Sequence, residues 1–312
     1  MIKTVTKVAL PIDESLSIKK NRIVSPDGNR QRRFSLVTGI HGDELEGQYI
    51  CYLVVKKIKE RPELFHGIVD VYPAMNPLGI ESIMRGIPDF DLDMNRLFPG
   101  RTDGDMNEFV ASQIVEDLEG SDLCVDIHAS NMYLWEVPQI RINELTAEKL
   151  VPIAMESNVD FVWVHGAATV LESTLAHSLN MRGVNTLVIE TGIGMRITKN
   201  YCEQIAGGIF RLMHRMGMWD GDVDESKIPV LSSEPSEVSF LNAPMSGILV
   251  STAKHGDKVK KGQEIGLIVS PIEGSVLHAV TAPCDGWLFT LREYPVVTEG
   301  SLMARILKDR EL

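Results

Sequence analysis

The first two-thirds of the chain alternates short apolar segments with longer segments whose apolar residues recur at helical spacing. The short segments are typical of buried strands, and the longer ones are typical of amphipathic helices. A chain that alternates in this way is restricted to an α/β fold, in which a mostly parallel sheet is flanked by helices on both faces. The pattern predicts strands at 33–38, 67–72, 123–127, 161–164 and 186–189, and helices at 45–59, 105–118, 173–182 and 200–216.

The character of the sequence changes after the last predicted helix. Residues 220–237 are acidic and polar with two prolines, which predicts a linker, and helical periodicity is absent after them. The octapeptide at 243–250 then recurs at 282–289, and each copy begins with Ala-Pro and has glycine at its fifth position. Two copies of a hairpin unit predict a small pseudo-symmetric β-sandwich or barrel. We therefore predict a catalytic α/β domain at 1–225 and an all-β domain at 226–312.

The β repeats resemble the barrel-sandwich domains of biotinyl and lipoyl carriers. Those domains carry a modified lysine at the hairpin between the two repeats. The stretch 266–285 contains no lysine, so a carrier role is not expected. A structural or site-covering role is the better interpretation of these repeats.

The charge balance restricts the partners of the chain. Lysine and arginine total 31 residues against 43 aspartate and glutamate, which gives a net charge of −12. A chain this acidic lacks the basic surface that binding to nucleic acid or to an anionic lipid surface needs. No apolar run approaches the roughly 20 residues of a membrane helix, and the first residues lack the apolar stretch of a signal peptide. Because the cysteines are also scattered, with no CxxC motif, we predict a cytoplasmic protein with reduced thiols.

Two histidines and a glutamate lie where predicted strands end. His41 and Glu44 are three residues apart in a turn between a strand and a helix, so both side chains can reach one ion. His128 ends another apolar strand, and such strand ends meet at the ligand-binding edge of an open α/β sheet. Two histidines and one glutamate form a ligand set of catalytic zinc, whose fourth position is left to water. These residues therefore predict one zinc ion per chain.

Two further acidic residues lie near these ligands in the sequence. Asp126 precedes His128 by two positions. We expect its side chain to point to the opposite face of the strand and to cap a turn or orient a ligand, rather than to be a fourth ligand. Glu190 ends an apolar strand at a glycine-rich turn, where pairing with an arginine is one of few structural roles. Beside a metal, its carboxylate is a natural general base for the attacking water.

The segment 76–105 is a long loop rich in Gly, Pro, Asp and Arg, and such a loop in a compact domain is usually functional. Arg85 could polarise a substrate carbonyl and stabilise the oxyanion. Asn95 and Arg96 could together hold a substrate carboxylate, because a guanidinium forms bidentate hydrogen bonds. The alternative is a loop held by ion pairs between its arginines and Asp89, Asp91 and Asp93.

Four motifs, HGDE, DMNR, DIH and IETG, occur in this order within residues 34–195. The chain thereby resembles the succinylglutamate desuccinylase/aspartoacylase family, a branch of the zinc carboxypeptidase superfamily. Its β repeats resemble the β domain that follows in that family. The resemblance implies a zinc-carboxypeptidase-like sheet and zinc-dependent deacylation. It implies that His41, Glu44 and His128 bind zinc, that Glu190 is the base, that Arg85 polarises the carbonyl, and that Asn95 and Arg96 bind the substrate carboxylate.

The sequence departs from this family in the helix that follows the long loop. Many related deacylases have an arginine there, in an ER-x-A sequence, and this chain has Phe109 at that position. We therefore expect its substrate preference to differ from that of the better-known members. Arg141 and Arg196 lie near the motifs, and each is a candidate contact for a substrate anion. The alternative for each arginine is an ordinary ion pair.

Together these features predict a zinc-dependent amidohydrolase that removes an acyl group from a small N-acyl amino acid or related amine by means of zinc-activated water. The predicted partner is a small anionic substrate, without nucleic acid or membrane, and a homo-oligomer is left open. One alternative is a metallocarboxypeptidase or amidase that acts on short peptides. Another is a non-catalytic zinc-binding interaction protein, which the intact ligand set and base disfavour.

Overall fold

The computed structural model of the protein describes residues 1–88, 92–166, 172–223 and 227–309. The helices in these ranges are α1 (Glu46–Glu60), α2 (Pro77–Ser82), α3 (Met106–Leu118), α4 (Ala147–Ala154), α5 (Leu175–Met181) and α6 (Lys199–Arg215). The first nine strands are β1 (Ile2–Ala9), β2 (Ser15–Val24), β3 (Arg33–Thr38), β4 (Ile68–Tyr72), β5 (Leu123–Ala129), β6 (Leu134–Asn143), β7 (Phe161–His165), β8 (Asn185–Gly192) and β9 (Val230–Ser232). The remaining strands are β10 (Val238–Asn242), β11 (Gly247–Ser251), β12 (Lys258–Val259), β13 (Glu264–Ser270), β14 (Ser275–Thr281), β15 (Gly286–Arg292), β16 (Val296–Val297) and β17 (Leu302–Lys308).

Four parallel strands form the centre of the main sheet, in the spatial order β4, β3, β5 and β8. The hairpin of β1 and β2 extends this block in antiparallel fashion next to β4, and β6 does so next to β8. The sheet is therefore mixed, and the prediction of a mostly parallel sheet holds only for its central block. The sequence pattern does not predict β1, β2 or β6. Strand β6 contains Pro138, and proline is unusual inside a strand.

Helices cover both faces of the main sheet, as predicted. Successive strand residues point to opposite faces, so Phe34 and Leu36 of β3 pack with α1, α4 and α6, whereas Val37 packs with α3 and α5. Helix α3 begins where its sequence predicts, because Asp105 caps it. The Asp105 side chain accepts hydrogen bonds from backbone N–H groups of the first turn, and the Glu108 side chain accepts one from the Asp105 N–H in return.

The two sequence repeats form two equivalent sets of four strands, β10–β13 and β14–β17. Within the sets, β11 pairs with β13, and β15 pairs with β17. The other pairs join one set to the other: β12 with β15, β16 with β11, β10 with β17, and β14 with β13. Each repeat thus contributes two strands to the main sheet and two to a separate four-stranded sheet. The strand pairing is pseudo-symmetric, as the repeat predicts.

The C-terminal strands also continue the main sheet. Strand β15 pairs antiparallel with β6, and β9 pairs parallel with β7. Strand β9 begins at Val230, beyond the predicted boundary at residue 225, yet it belongs to the main sheet. The two predicted domains therefore share one continuous sheet. In the part of the chain that the structure describes, no helix is both long enough and apolar enough to cross a membrane.

Candidate active site

The predicted metal ligands and the predicted base meet at the carboxyl ends of the central parallel strands. His41 lies three residues beyond β3, and Glu44 lies in the turn before α1. His128 and Glu190 are near the ends of β5 and β8. These two strands are neighbours, and their register sets His128 opposite Glu190. The parallel order of the strands brings residues that are far apart in sequence to one edge of the sheet.

Donor atoms of His41, Glu44 and His128 converge on one point. The His41 Nδ1 atom lies 2.7 Å from Glu44 Oε1, and the His128 Nδ1 atom lies 3.0 Å from Glu44 Oε2. The two Nδ1 atoms are 3.3 Å apart, and one ligand atom from each residue lies within 4.8 Å of the others. All three residues are buried. This group could hold a metal ion.

A carboxylate lies behind each of the two histidines. Asp93 Oδ1 is 3.0 Å from His41 Nε2, and Asp126 Oδ2 is 3.2 Å from His128 Nε2. A carboxylate at the outer nitrogen orients the ring and leaves the inner nitrogen free to bind a metal. The expectation that Asp126 points to the opposite face and caps a turn is wrong, because side chains two residues apart share one face of a strand. Asp126 instead faces His128.

The charges in this cluster shift one another's pKa. Burial raises the pKa of the Glu44 carboxyl, but the charges of His41 and His128 outweigh burial and hold that pKa below its ordinary value. Burial lowers the pKa of His128, but the carboxylates of Asp126 and Glu44 outweigh it and raise that pKa well above its ordinary value. The cluster therefore favours positive charge between its carboxylates, and a metal cation would supply such charge.

Glu190 belongs to a group of four charged side chains, of which Glu136 is buried and the other three are 16–18% exposed. Arg141 of β6 places its Nη1 atom 3.4 Å from Glu190 Oε1 and its Nη2 atom 2.7 Å from Glu136 Oε2. Glu136 also accepts a hydrogen bond from Arg305 of β17, so the C-terminal repeats contribute a side chain to the group. Burial raises the pKa of the Glu190 carboxyl, and Arg141 opposes this shift without cancelling it. A carboxylate with a raised pKa is suited to accept a proton at neutral pH.

The long loop brings Arg85, Asn95 and Arg96 to the same place. Arg85 Nη1 lies 2.9 Å from Glu44 Oε1. Asn95 is buried, and its Oδ1 atom accepts a hydrogen bond from the backbone N–H of Leu175 at 3.0 Å. The Arg96 side chain is half exposed, at 46%. Asn95 is thus fixed by the start of α5, whereas the Arg96 guanidinium can still move towards a ligand.

Ion pairs within the loop, the alternative to a substrate-binding role, are present in part. Asp93 Oδ2 lies 3.7 Å from Arg85 Nη2 and 4.0 Å from Arg96 Nη2. Asp89 and Asp91, which the same alternative includes, lie outside the described residues. Because Asp93 also faces a histidine of the metal cluster, one carboxylate joins the loop to that cluster.

One cavity of about 440 Å³ is lined by all the predicted site residues except Arg196. The Arg196 guanidinium lies 3.6 Å from a Glu293 carboxylate oxygen, and its side chain is 61% exposed. Its contact is therefore the ordinary ion pair that was the alternative. A second cavity, of about 530 Å³, contains none of the predicted residues. The charged lining of the first cavity also includes Asp126, Glu136 and Arg305.

Sequence reasoning missed Glu136 and Arg305 as site residues. Each is a charged residue inside a largely apolar strand, Leu134–Asn143 or Leu302–Lys308. A charge in such a strand indicates a buried partner, since an unpaired buried charge is costly. The sequence does not indicate which partner, because the two residues are 169 positions apart.

Comparison with known proteins agrees with this geometry. Residues 30–216 match the family model described as the succinylglutamate desuccinylase/aspartoacylase catalytic domain. The N-alpha-acetyl-L-2,4-diaminobutyric acid deacetylase of Halomonas elongata is 26% identical over 281 residues, which cover 87% of this chain and 80% of that protein. The similarity to this deacetylase therefore extends beyond the catalytic region into the C-terminal repeats.

Solved structures share the fold over nearly the whole chain. A succinylglutamate desuccinylase/aspartoacylase from Rhodobacter sphaeroides has a TM-score of 0.80 at 22% identity, and covers 100% of this chain and 96% of its own. A succinylglutamate desuccinylase from Silicibacter sp. TM1040 has a TM-score of 0.82 at 20% identity, with coverage of 98% and 94%. Because the family model matches more than half of its residues, the chain belongs to the succinylglutamate desuccinylase/aspartoacylase family, and it is an amide hydrolase of the deacylase type.

Proposed function

We propose that the protein is a zinc-dependent deacylase that hydrolyses the amide bond of a small N-acyl amino acid with a free carboxylate. The observation that carries this proposal is the convergence of His41, Glu44 and His128 in a cavity that also contains the carboxylate of Glu190. Three protein ligands with an open fourth position are typical of catalytic zinc. We expect one zinc ion per chain.

The residues present fit zinc at this position. Both histidines direct Nδ1 towards Glu44, and both have a carboxylate, Asp93 or Asp126, at the outer nitrogen. At His128 this arrangement favours the tautomer in which the inner nitrogen is free to bind a metal. At His41, Arg85 Nη2 also lies 3.0 Å from the outer nitrogen, so there the Asp93 carboxylate and the guanidinium have opposite effects on the tautomer. When bound, zinc would supply a Lewis acid that polarises the acyl oxygen and activates the attacking water.

Side chains of the protein would do the remaining chemistry. Glu190 would accept the proton from the attacking water and pass it to the leaving amine, and its raised pKa suits both transfers. Arg85, with its guanidinium beside Glu44, would donate hydrogen bonds to the negative charge that develops on the acyl oxygen. Loss of one such donor costs roughly 2.7–4 kcal/mol in other enzymes.

The cavity is lined by four arginines and four carboxylates, so a bound zinc ion would leave it with a net positive charge that favours an anionic substrate. The chain as a whole has a net charge of −12, so an anion would be repelled without local positive charge. Arg96, beside Asn95, would bind the carboxylate next to the scissile amide. The Nε atoms of Arg141 and Arg305 are buried and have no hydrogen-bond partner among the described residues. Both guanidinium groups line the cavity, and we propose that they contribute positive charge for a substrate anion.

The amine product is proposed to be an amino acid without a positively charged side chain. The Halomonas elongata relative is named for an N-acetyl amino acid that carries a second amine. In this cavity Glu136 is already bonded to Arg141 and Arg305, and the other carboxylates face histidine or arginine. Each carboxylate that lines the cavity already lies within 3.4 Å of a histidine or an arginine, so a second ammonium group would compete with these groups.

We further propose that residues 226–312 form a barrel-sandwich-like domain that covers the site of a catalytic domain at 1–225. The support is Arg305, which reaches from the last strand into the cavity. A covered site would exclude long peptides, which disfavours a carboxypeptidase. We also propose that the enzyme works in the cytoplasm, where its thiols stay reduced.

A hydrolysis screen tests the function. Zinc-loaded protein is incubated with N-acetyl, N-succinyl and N-formyl amino acids and with short peptides, and the released amine is measured. We expect hydrolysis of at least one N-acyl amino acid, its loss after chelation, and its return with zinc. The His128→Ala variant should lose both zinc and activity while keeping its fold. Full activity of metal-free protein, or cleavage of peptides alone, would contradict the proposal.

A further inference from the structure

Arg141 faces two carboxylates in the cavity, and it is bonded unequally to them. Its Nη2 atom is 2.7 Å from Glu136 Oε2, whereas its Nη1 atom is 3.4 Å from Glu190 Oε1. Hydrogen bonds between a guanidinium and a carboxylate are normally about 2.7–2.9 Å long. The contact with Glu136 is therefore a full charge-assisted bond, and the contact with Glu190 is a weak one.

Glu136 is itself held in one position. Its exposed fraction is 1%, and Gln139 Nε2 donates to the same oxygen that Arg141 uses, at 2.8 Å. Its other oxygen accepts a hydrogen bond from Arg305 at 2.5 Å. The Arg305 guanidinium lies over the rings of Trp163 and Phe240, 5.8 and 5.7 Å from their centres. Glu136 therefore cannot move away from Arg141 without breaking contacts on both of its oxygens.

Glu190 needs a free oxygen if it is to take a proton from water. A guanidinium that bound it in the bidentate fashion usual for arginine would occupy both of its oxygens. We infer that Glu136 is a positioning residue that holds Arg141 off Glu190, and that Arg305 of the C-terminal repeats holds Glu136 in place. This inference rests on the proposed role of Glu190 as the base. It assigns the C-terminal repeats a part in keeping the base available, in addition to covering the site.

A simpler role for Glu136 would be to balance buried charge. The group contains two guanidinium groups and two carboxylates, so removing Glu136 alone leaves an excess positive charge. Two double variants restore the balance in different ways: Glu136→Gln with Arg141→Gln, and Glu136→Gln with Arg305→Gln. The first leaves no guanidinium bonded to Glu190. In the second, Glu190 is the one remaining carboxylate within reach of Arg141 among the four members of the group.

The two double variants are compared as zinc-loaded enzymes on the best substrate of the hydrolysis screen. Zinc content and melting temperature establish that both are folded. We expect kcat of the variant that retains Arg141 to be at least tenfold below that of the variant that lacks it, since general-base catalysis typically contributes 10²–10⁴-fold. We expect KM to rise in both variants, because each lacks one of the two arginines proposed to serve the substrate anion, so the comparison rests on kcat. Charge balance alone predicts equal kcat values.

Crystal structures of the same variants give a readout that does not depend on turnover. In the variant that retains Arg141, the distance from Arg141 to Glu190 should shorten from 3.4 Å to about 2.8 Å, the length of a charge-assisted bond. An unchanged distance, or equal kcat values in the two variants, would overturn the inference. Failure of the proposed function is recognised separately: wild-type enzyme would then hydrolyse no N-acyl amino acid, or Glu190→Gln would keep wild-type kcat.

Discussion

Replacing Asp126 with asparagine tests the outer contact of a metal-site histidine in isolation. Asp126 Oδ2 lies at an ion-pair distance of 3.2 Å from His128 Nε2, and the Asp126 carboxylate accepts no hydrogen bond from the described residues. Asparagine has nearly the same shape, so the substitution removes a charge without opening a cavity. Asp126 is only 1% exposed, so bulk solvent contributes little at this position.

We expect zinc to bind roughly 10–100-fold more weakly to Asp126→Asn, the usual effect of losing a carboxylate behind a ligating histidine. This corresponds to about 1.4–2.7 kcal/mol of binding free energy. The physical reason is that the carboxylate keeps the proton on Nε2 and makes Nδ1, the nitrogen directed towards Glu44, a better ligand. An amide can present its N–H to the ring instead, and it then no longer favours that tautomer.

The measurement is competition for zinc between metal-free protein and a chromophoric chelator. Asp93→Asn removes the carboxylate behind His41 and should also weaken zinc binding, but it changes the ion pairs with Arg85 and Arg96 as well. Asp103→Asn removes the same charge from a side chain that is 78% exposed, and should leave the affinity unchanged. If Asp126→Asn binds zinc within a factor of two of wild type while metal-free melting temperatures agree, the reasoning about the outer carboxylate is refuted.

Three further predictions concern the base, the substrate carboxylate and the C-terminal repeats. Glu190→Gln should lower kcat by at least about 100-fold, because an amide cannot accept the proton, and metal analysis should still find zinc; loss of zinc would instead make Glu190 a ligand. Arg96→Ala should lower kcat/KM by about 1.5–3 kcal/mol, the size of a charge-assisted hydrogen bond. Converting the substrate carboxylate to an amide should lower kcat/KM of wild type by about as much, and should change kcat/KM of Arg96→Ala little. An equal decrease in both enzymes would contradict the role of Arg96 in binding the carboxylate. The intact mass should equal the sequence mass apart from metal and N-terminal processing, because the hairpin stretch at 266–285 contains no lysine; a biotin or lipoate increment on a lysine would contradict this.

Much of the fold could be predicted from the sequence because it depends on local patterns. The central strands β3, β4, β5 and β8 are buried on both faces, so each appears as a short apolar run. The helix at 105–118 could be recognised from its acidic start and its apolar spacing. The edge hairpin of β1 and β2 lacks such a pattern, because many of its side chains face solvent. Strand β6 is interrupted by a proline.

The candidate metal ligands could also be predicted from local sequence patterns. His41 and Glu44 are close in the sequence, and His128 ends a recognisable strand, so the three meet once the strands are parallel. The orientation of Asp126 follows from strand geometry alone, and our expectation for it was wrong through a miscount of that period. Glu190 could be predicted from its place at the end of an apolar strand, and the loop residues from the chemistry of their side chains; the family resemblance implies the same roles.

What the sequence by itself determined is therefore the residue types at strand ends and the apolar periods that place those ends at one edge of a sheet. Only the tertiary structure decided which charged side chains pair with one another around these strand ends. Asp93 reaches a histidine 52 positions away, and Glu136 is bonded to an arginine 169 positions away. A charged residue inside an apolar strand indicates that a partner of opposite charge is present. The sequence does not identify that partner, because a carboxylate attracts every arginine by the same Coulomb law. The choice of Arg141 and Arg305 depends on β6 lying between β8 and β15, and that order is set by the packing of the whole sheet.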